Sequence, residues 1–129
     1  MFSHMTIGSN DLERSRIFYD ALFGAVGGRP GRRMPDREAI LYAHNGGMLM
    51  VVTPIDGKPA TYANGGTIGF AMDGPEQATA WHDAGVAAGG VSIENPPGIR
   101  MMAGAGPLYL AYLRDPDGNK LCAMHRPEQ

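Results

Sequence analysis

The sequence predicts an α+β domain built from two copies of a strand-helix-strand-strand-strand unit, and three observations predict it. His4-Met5-Thr6-Ile7 returns 63 positions later as Thr67-Ile68-Gly69-Phe70, and the same shift carries Phe18-Tyr19-Asp20-Ala21 onto Trp81-His82-Asp83-Ala84. Each half then reaches a double glycine, Gly27-Gly28 and Gly89-Gly90. Asp115-Pro116-Asp117-Gly118-Asn119 has the turn chemistry of a hairpin near the end of the second half. A repeat this long implies two supersecondary units that bury a face against each other and bring matching positions to a shared pocket.

The elements follow in order. Residues 2–8 alternate polar and apolar side chains and read as a strand. Asn10 with Glu13 three positions on suits a helix N-terminus, Leu12, Ser15, Phe18, Tyr19 and Leu22 keep helical spacing, and Gly24 offers a stop. Strands are expected near 25–29, 38–43 and 48–53, completing module one at about 1–53. A linker follows at about 54–65, marked by Pro54, Gly57, Pro59 and Gly65. Module two, about 66–126, opens with a strand at 66–72 and a helix at about 75–88, with Asp73 as cap and Pro75 in the first turn. Strands near 91–95, 107–114 and 119–125 complete it, and residues 95–107 read as a long glycine-rich loop.

Composition narrows the function classes. With 43% hydrophobic and 19% charged residues the chain is ordinary globular protein. A net charge of -2 argues against nucleic acid as a partner, and the Arg29, Arg32, Arg33 cluster is answered locally by Asp36 and Glu38. The single cysteine, Cys122, excludes an internal disulfide and fits a reducing, cytoplasmic setting. No apolar run approaches the roughly 20 residues of a membrane span, and no signal peptide is visible, so no membrane partner is expected.

The opening HMTIGSNDLERSRIFYDALFG and the closing YLRDPDGNKL together resemble the vicinal-oxygen-chelate superfamily, which includes glyoxalase I, bleomycin and fosfomycin resistance proteins and extradiol dioxygenases. The resemblance covers residues 2 to 125. It implies two βαβββ modules forming a cupped mixed sheet around a shared cavity, and a homodimer. Metal-dependent members of that family place one ligand on the first and one on the last strand of each module. Carried onto this chain, those positions read His4, Met50 (with Met48 as the less favoured choice), Thr67 and Cys122. Thioether and hydroxyl ligands are poor for Zn, Ni, Mn or Fe, and no carboxylate remains to balance a metal's charge. The ligand set therefore predicts no cofactor, with a divalent metal as the alternative.

Strand parity places His4 and Thr67 on one face, opposite to Met5, Ile7, Ile68, Phe70 and Met72, which should pack beneath the helices. Pairing around the turn sets Arg114 opposite Lys120 and Tyr112 opposite Cys122, adding Leu110, Tyr112, Cys122 and Met124 to the cavity face. Met48, Met50 and Met102 are expected near it, since methionine moulds itself to irregular apolar shapes. Arg100, in the glycine-rich loop, is a candidate for an anionic substituent. Phe18, Tyr19 and Trp81 are expected as module packing, His82 as an exposed helix residue, and His44 and His125 as loop or terminal residues. A Cys122 nucleophile would need His4 as its base. These residues predict a protein that binds a small apolar or aromatic molecule with a degenerate metal site. The competing expectation is a metal-dependent glyoxalase-like lyase or dioxygenase acting on a substrate chelated through vicinal oxygens.

Overall fold

A computed structural model describes residues 1–127. Module one comprises β1 (Met5–Gly8), α1 (Leu12–Gly24), β2 (Arg32–Arg33), β3 (Ala39–His44) and β4 (Gly47–Val52). Module two comprises β5 (Ile68–Ala71), α2 (Pro75–Ala87), β6 (Val91–Ser92), β7 (Gly98–Met102), β8 (Gly106–Arg114) and β9 (Lys120–His125). Each module makes its own mixed sheet, ordered β1-β4-β3-β2 and β5-β9-β8-β6, with β7 also paired to β8. This is the α+β architecture of two βαβββ-like modules that the repeat predicts. Among the described residues no helix is long and apolar enough to cross a membrane.

The repeat survives at the level of hydrogen-bond register. β1 runs parallel to β4 with Thr6 opposite Met50, and β5 runs parallel to β9 with Gly69 opposite Cys122. Thr6 and Gly69 are repeat mates, so Met50 and Cys122 hold equivalent places in the two last strands. The predicted hairpin register is also present, with Arg114 opposite Lys120 and Tyr112 opposite Cys122.

Several local expectations are corrected. Asp11, not Asn10, caps α1: its carboxylate accepts the Arg14 N–H at 3.0 Å. Asn10 instead ties down the linker, accepting from the Ala60 N–H and donating to the Ala60 carbonyl. Gly74 is the cap of α2, without a side-chain bond, while the Asp73 N–H donates to Gln77. The 25–29 strand is absent, and the module-one edge is formed by Arg32–Arg33. The glycine-rich loop contains a real strand, β7, which shares an edge of β8 with β6. His82 is buried, at 6% exposure, because α2 presses it toward β6.

Both helices and the helix-facing sides of both sheets share one core. Phe18, Tyr19 and Leu22 of α1, Trp81 of α2, Ile40, Tyr42, Leu49 and Val51 of sheet one and Leu113, Leu121 and Ala123 of sheet two form a single cluster. Two glycines let α1 approach module two. A Cβ on Gly85 would lie 2.6 Å from Leu113 and 2.9 Å from Leu22, and one on Gly90 would lie 2.7 Å from Phe18. A larger residue at either place must displace these neighbours, by turning their side chains or by moving the helix.

The modules are also joined by a buried polar latch. The Asp115 carboxylate accepts the Asp117 and Asn119 N–H groups at 2.9 Å, which closes the turn. Its other oxygen accepts the Tyr19 hydroxyl at 2.6 Å and the Asn119 amide at 2.8 Å. Asp117 reaches the start of α1, accepting from the Asn10 N–H at 2.9 Å, Arg14 at 2.8 Å and the Ser15 hydroxyl at 3.2 Å. Burial and the Asp115 charge both push the Tyr19 phenol well above its ordinary range, so it stays a neutral donor. Tyr19→Phe removes that donor from a buried carboxylate and is expected to cost about 1–3 kcal/mol. Urea unfolding followed by circular dichroism checks this; an unchanged midpoint would contradict the latch.

Candidate ligand-binding cleft

Because both sheets turn their helix-facing sides into one core, residues of the opposite parity lie on outward faces. Met50 and, by alternation, His4 belong to the outer face of sheet one. Leu110, Tyr112, Cys122 and Met124 belong to the outer face of sheet two. Thr67 meets Thr6 and Lys120 in a shallow hollow of about 230 Å³ at the seam between β1 and β5. His4, Met50 and the Tyr112–Cys122 group line neither that hollow nor the larger cleft described below. The expected single cavity face is therefore divided within one chain, and the cause is the shared core.

The outer face of sheet two is the better organised of the pair. Leu108, Leu110 and Cys122 form a small buried cluster with Ala105 and Tyr112 against it. Met102, at the end of β7 opposite Gly106, is exposed, as are Met48 and Met124. Arg100 does not present a free guanidinium. Its terminal nitrogens donate to the carbonyls of Asn95, Pro96, Gly98 and Leu110, holding together the interruption between β6 and β7. Arg100 and Lys120 flank the Tyr112 ring at 5.7 and 4.9 Å from its centroid.

The Cys122 thiol is pushed above its usual range, chiefly by burial, so the neutral thiol dominates near pH 7. The His4 ring is exposed and its Nδ1 lies 2.8 Å from the Ser3 hydroxyl. Nothing in this arrangement activates Cys122 as a nucleophile. The family-position set of His4, Met50, Thr67 and Cys122 is also a poor fit to a divalent metal, in donor chemistry and in placement. Among the described residues no three His, Cys, Asp or Glu side chains gather as a metal site.

The main cleft, about 260 Å³, opens between the modules on the helix side of the sheets. Its wall is aromatic. Phe23 stacks on Tyr42 at 4.9 Å and 16°, meets Phe70 edge-on at 5.9 Å, and Phe70 in turn lies 5.6 Å from Trp81. Met5, Met48 and Met72 add soft apolar surface. Tyr42 offers only its ring, because its hydroxyl donates to Asp20 at 2.7 Å; burial and that bond raise its phenol far above the ordinary range. The polar lining includes His44, edge-on to Phe23 at 5.8 Å, and Gln77, whose carbonyl already accepts the Asp73 N–H. The remaining Gln77 amide hydrogens are available as donors.

Of the predicted pocket residues, only Met48 lines this cleft. Met5, Phe70 and Met72 lie beneath the helices as parity requires, yet they also form the cleft wall, and His44 is more than a loop residue. Among the repeat-mate pairs Phe18-Tyr19 and Trp81-His82, only Trp81 reaches this wall, while Phe18 and Tyr19 stay in the core.

Comparison with known proteins agrees with the geometry. A solved glyoxalase/bleomycin resistance protein from Albidiferax ferrireducens T118 is 54% identical, with 98% of this chain and 99% of that chain covered and a TM-score of 0.91. A glyoxalase-related enzyme from Fulvimarina pelagi is 24% identical over 98% of this chain and 88% of its own, with a TM-score of 0.73. Fosfomycin resistance protein FosX from Mesorhizobium loti, 16% identical over 98% and 92% with a TM-score of 0.67, shares the fold. No curated protein matches the chain. The model of the Glyoxalase/Bleomycin resistance protein/Dioxygenase superfamily matches residues 1–123, and the chain belongs to that superfamily.

Proposed function

We propose that this protein binds a small, uncharged aromatic molecule in the helix-side cleft between its modules. The observation that carries the reading is the lining itself. Four aromatic rings and three methionines surround the space, and among the described residues no Asp, Glu, Lys or Arg borders it. A charged ligand would lose its hydration there without gaining a partner, a cost of several kcal/mol. An apolar cavity of about 150 Å³ accepts a benzene ring and drug-sized ligands need roughly 300–1,000 Å³, so this cleft suits one or two fused rings. Gln77 and His44 would orient a polar substituent at the rim.

Trp81 is the only tryptophan and therefore an internal reporter. Titration with 2-naphthol is expected to quench its emission saturably, whereas 2-naphthoate, with the same rings and a carboxylate, should bind at least about tenfold more weakly. Met5→Glu, at a position 38% exposed and so tolerant of change, should abolish the quenching. Quenching that persists in Met5→Glu, or none with either compound, would overturn the reading.

A second reading rests on the sheet edges. β1 and β5 each pair on one side only, and neither Met5–Gly8 nor Ile68–Ala71 carries the charge or proline that protects a free edge. Pairing of these edges between two copies would make a homodimer and bring the outer face with His4 and Met50 beside one with Thr67 and Cys122. A metal-dependent lyase or dioxygenase would require such a composite site. Light scattering should give twice the 13.7 kDa chain mass, and Thr6→Pro should return the monomer. Elemental analysis of that dimer is expected to find no stoichiometric transition metal. About one Zn, Ni, Mn or Fe per subunit, lost on His4→Ala, would favour the enzyme instead.

A further inference from the structure

A second arrangement with recognisable chemistry lies away from the cleft, where α2 meets β6. His82 sits within α2 with its side chain almost wholly covered, a burial that requires hydrogen-bond partners for both ring nitrogens. Nδ1 lies 3.0 Å from a carboxylate oxygen of Asp83, and Nε2 lies 2.8 Å from the Ser92 hydroxyl oxygen. An ionised carboxylate only accepts, so Nδ1 carries a ring hydrogen, and in the neutral ring Nε2 then accepts the hydroxyl hydrogen of Ser92. This is the tautomer that a general base needs, with the nucleophile and the orienting acid both within hydrogen-bond reach. Ser92 lies exposed on a two-residue edge strand, open to a reagent from solvent.

We propose that Ser92 is a nucleophilic serine, with His82 as its base and Asp83 as the positioning acid, that accepts acyl or phosphonyl groups from small activated esters. The Ser92 oxygen bonds to the acyl carbon or phosphorus while His82 takes the hydroxyl proton. The bond to the leaving group breaks, and an alkoxide or phenoxide leaving group departs with that proton. Water then hydrolyses an acyl-serine, whereas a phosphonyl-serine persists. Ser92 stands on an open edge rather than in a cleft, which limits the donors to compact molecules with good leaving groups.

The full chain treated with an alkyl fluorophosphonate should gain one adduct by intact mass, mapped to Ser92, with fluoride as the leaving group and the proton passing through His82. Ser92→Ala should remove the adduct. Asp83→Asn, at an exposed site, should slow labelling by at least about tenfold, because the amide no longer fixes the ring tautomer. Trp81 emission and far-ultraviolet circular dichroism confirm that each variant is folded. Labelling no faster than in urea-unfolded chain, or at an unchanged rate in folded Asp83→Asn, would overturn the proposal and leave the chain of bonds as a tie between α2 and β6.

Discussion

The arrangement of this molecule depends on two aspartates in one five-residue turn. Asp115 and Asp117 are carried by the β8–β9 hairpin of module two, yet their partners include Tyr19, Asn10, Arg14 and Ser15 of module one. Among the described residues Asp115 pairs with no cation; its carboxylate is held by turn N–H groups, the Tyr19 hydroxyl and the Asn119 amide. A buried carboxylate tolerates such a setting only when its lone pairs are filled, so the turn, the helix and the β1–α1 corner must keep their places together. Asp117 adds its charge near the N-terminus of α1, where the helix dipole and Arg14 both favour it. With that corner fixed, the sheets are fixed relative to each other.

That constraint shapes the cleft between the modules. Once α1 is drawn against module two, Phe18 and Leu22 settle over Gly85 and Gly90, and the helix-facing sides of both sheets merge into one core. Phe23 and Trp81 belong to that core and, with Phe70, also wall the cleft. The outer faces, which hold the four positions His4, Met50, Thr67 and Cys122 carried over from the resemblance, carry thioethers, a buried neutral thiol and an arginine committed to carbonyls. This contrast in lining is what favours the proposed apolar ring between the modules over a metal on the sheets.

What was legible in the sequence follows the range of the interactions. The Asp-Pro-Asp-Gly-Asn turn was readable because its chemistry is local, and once it was placed, the alternation of side chains fixed Tyr112 opposite Cys122. The equivalence of Met50 and Cys122 was readable because the repeat preserves ladder register. Parity gives the residues that share a face but not the direction in which that face looks. That direction comes from α1 packing against module two through Gly85 and Gly90, contacts far apart in sequence. β7 was hidden in a glycine-rich stretch because it is stabilised by Arg100 binding carbonyls on both sides of a strand interruption. His82 could have been found: the 63-residue shift makes it the mate of Tyr19, a fully buried helix position, and that outweighed its polarity.

The proposed ligand space lies on the helix side of the sheets. A crystal structure of the protein soaked with a neutral two-ring aromatic compound tests it most directly. The rings are expected against Phe23, Phe70 and Trp81, with a polar substituent toward Gln77 or His44. Rings seated instead on an outer sheet face, against His4, Thr67, Tyr112 or Cys122, would contradict it.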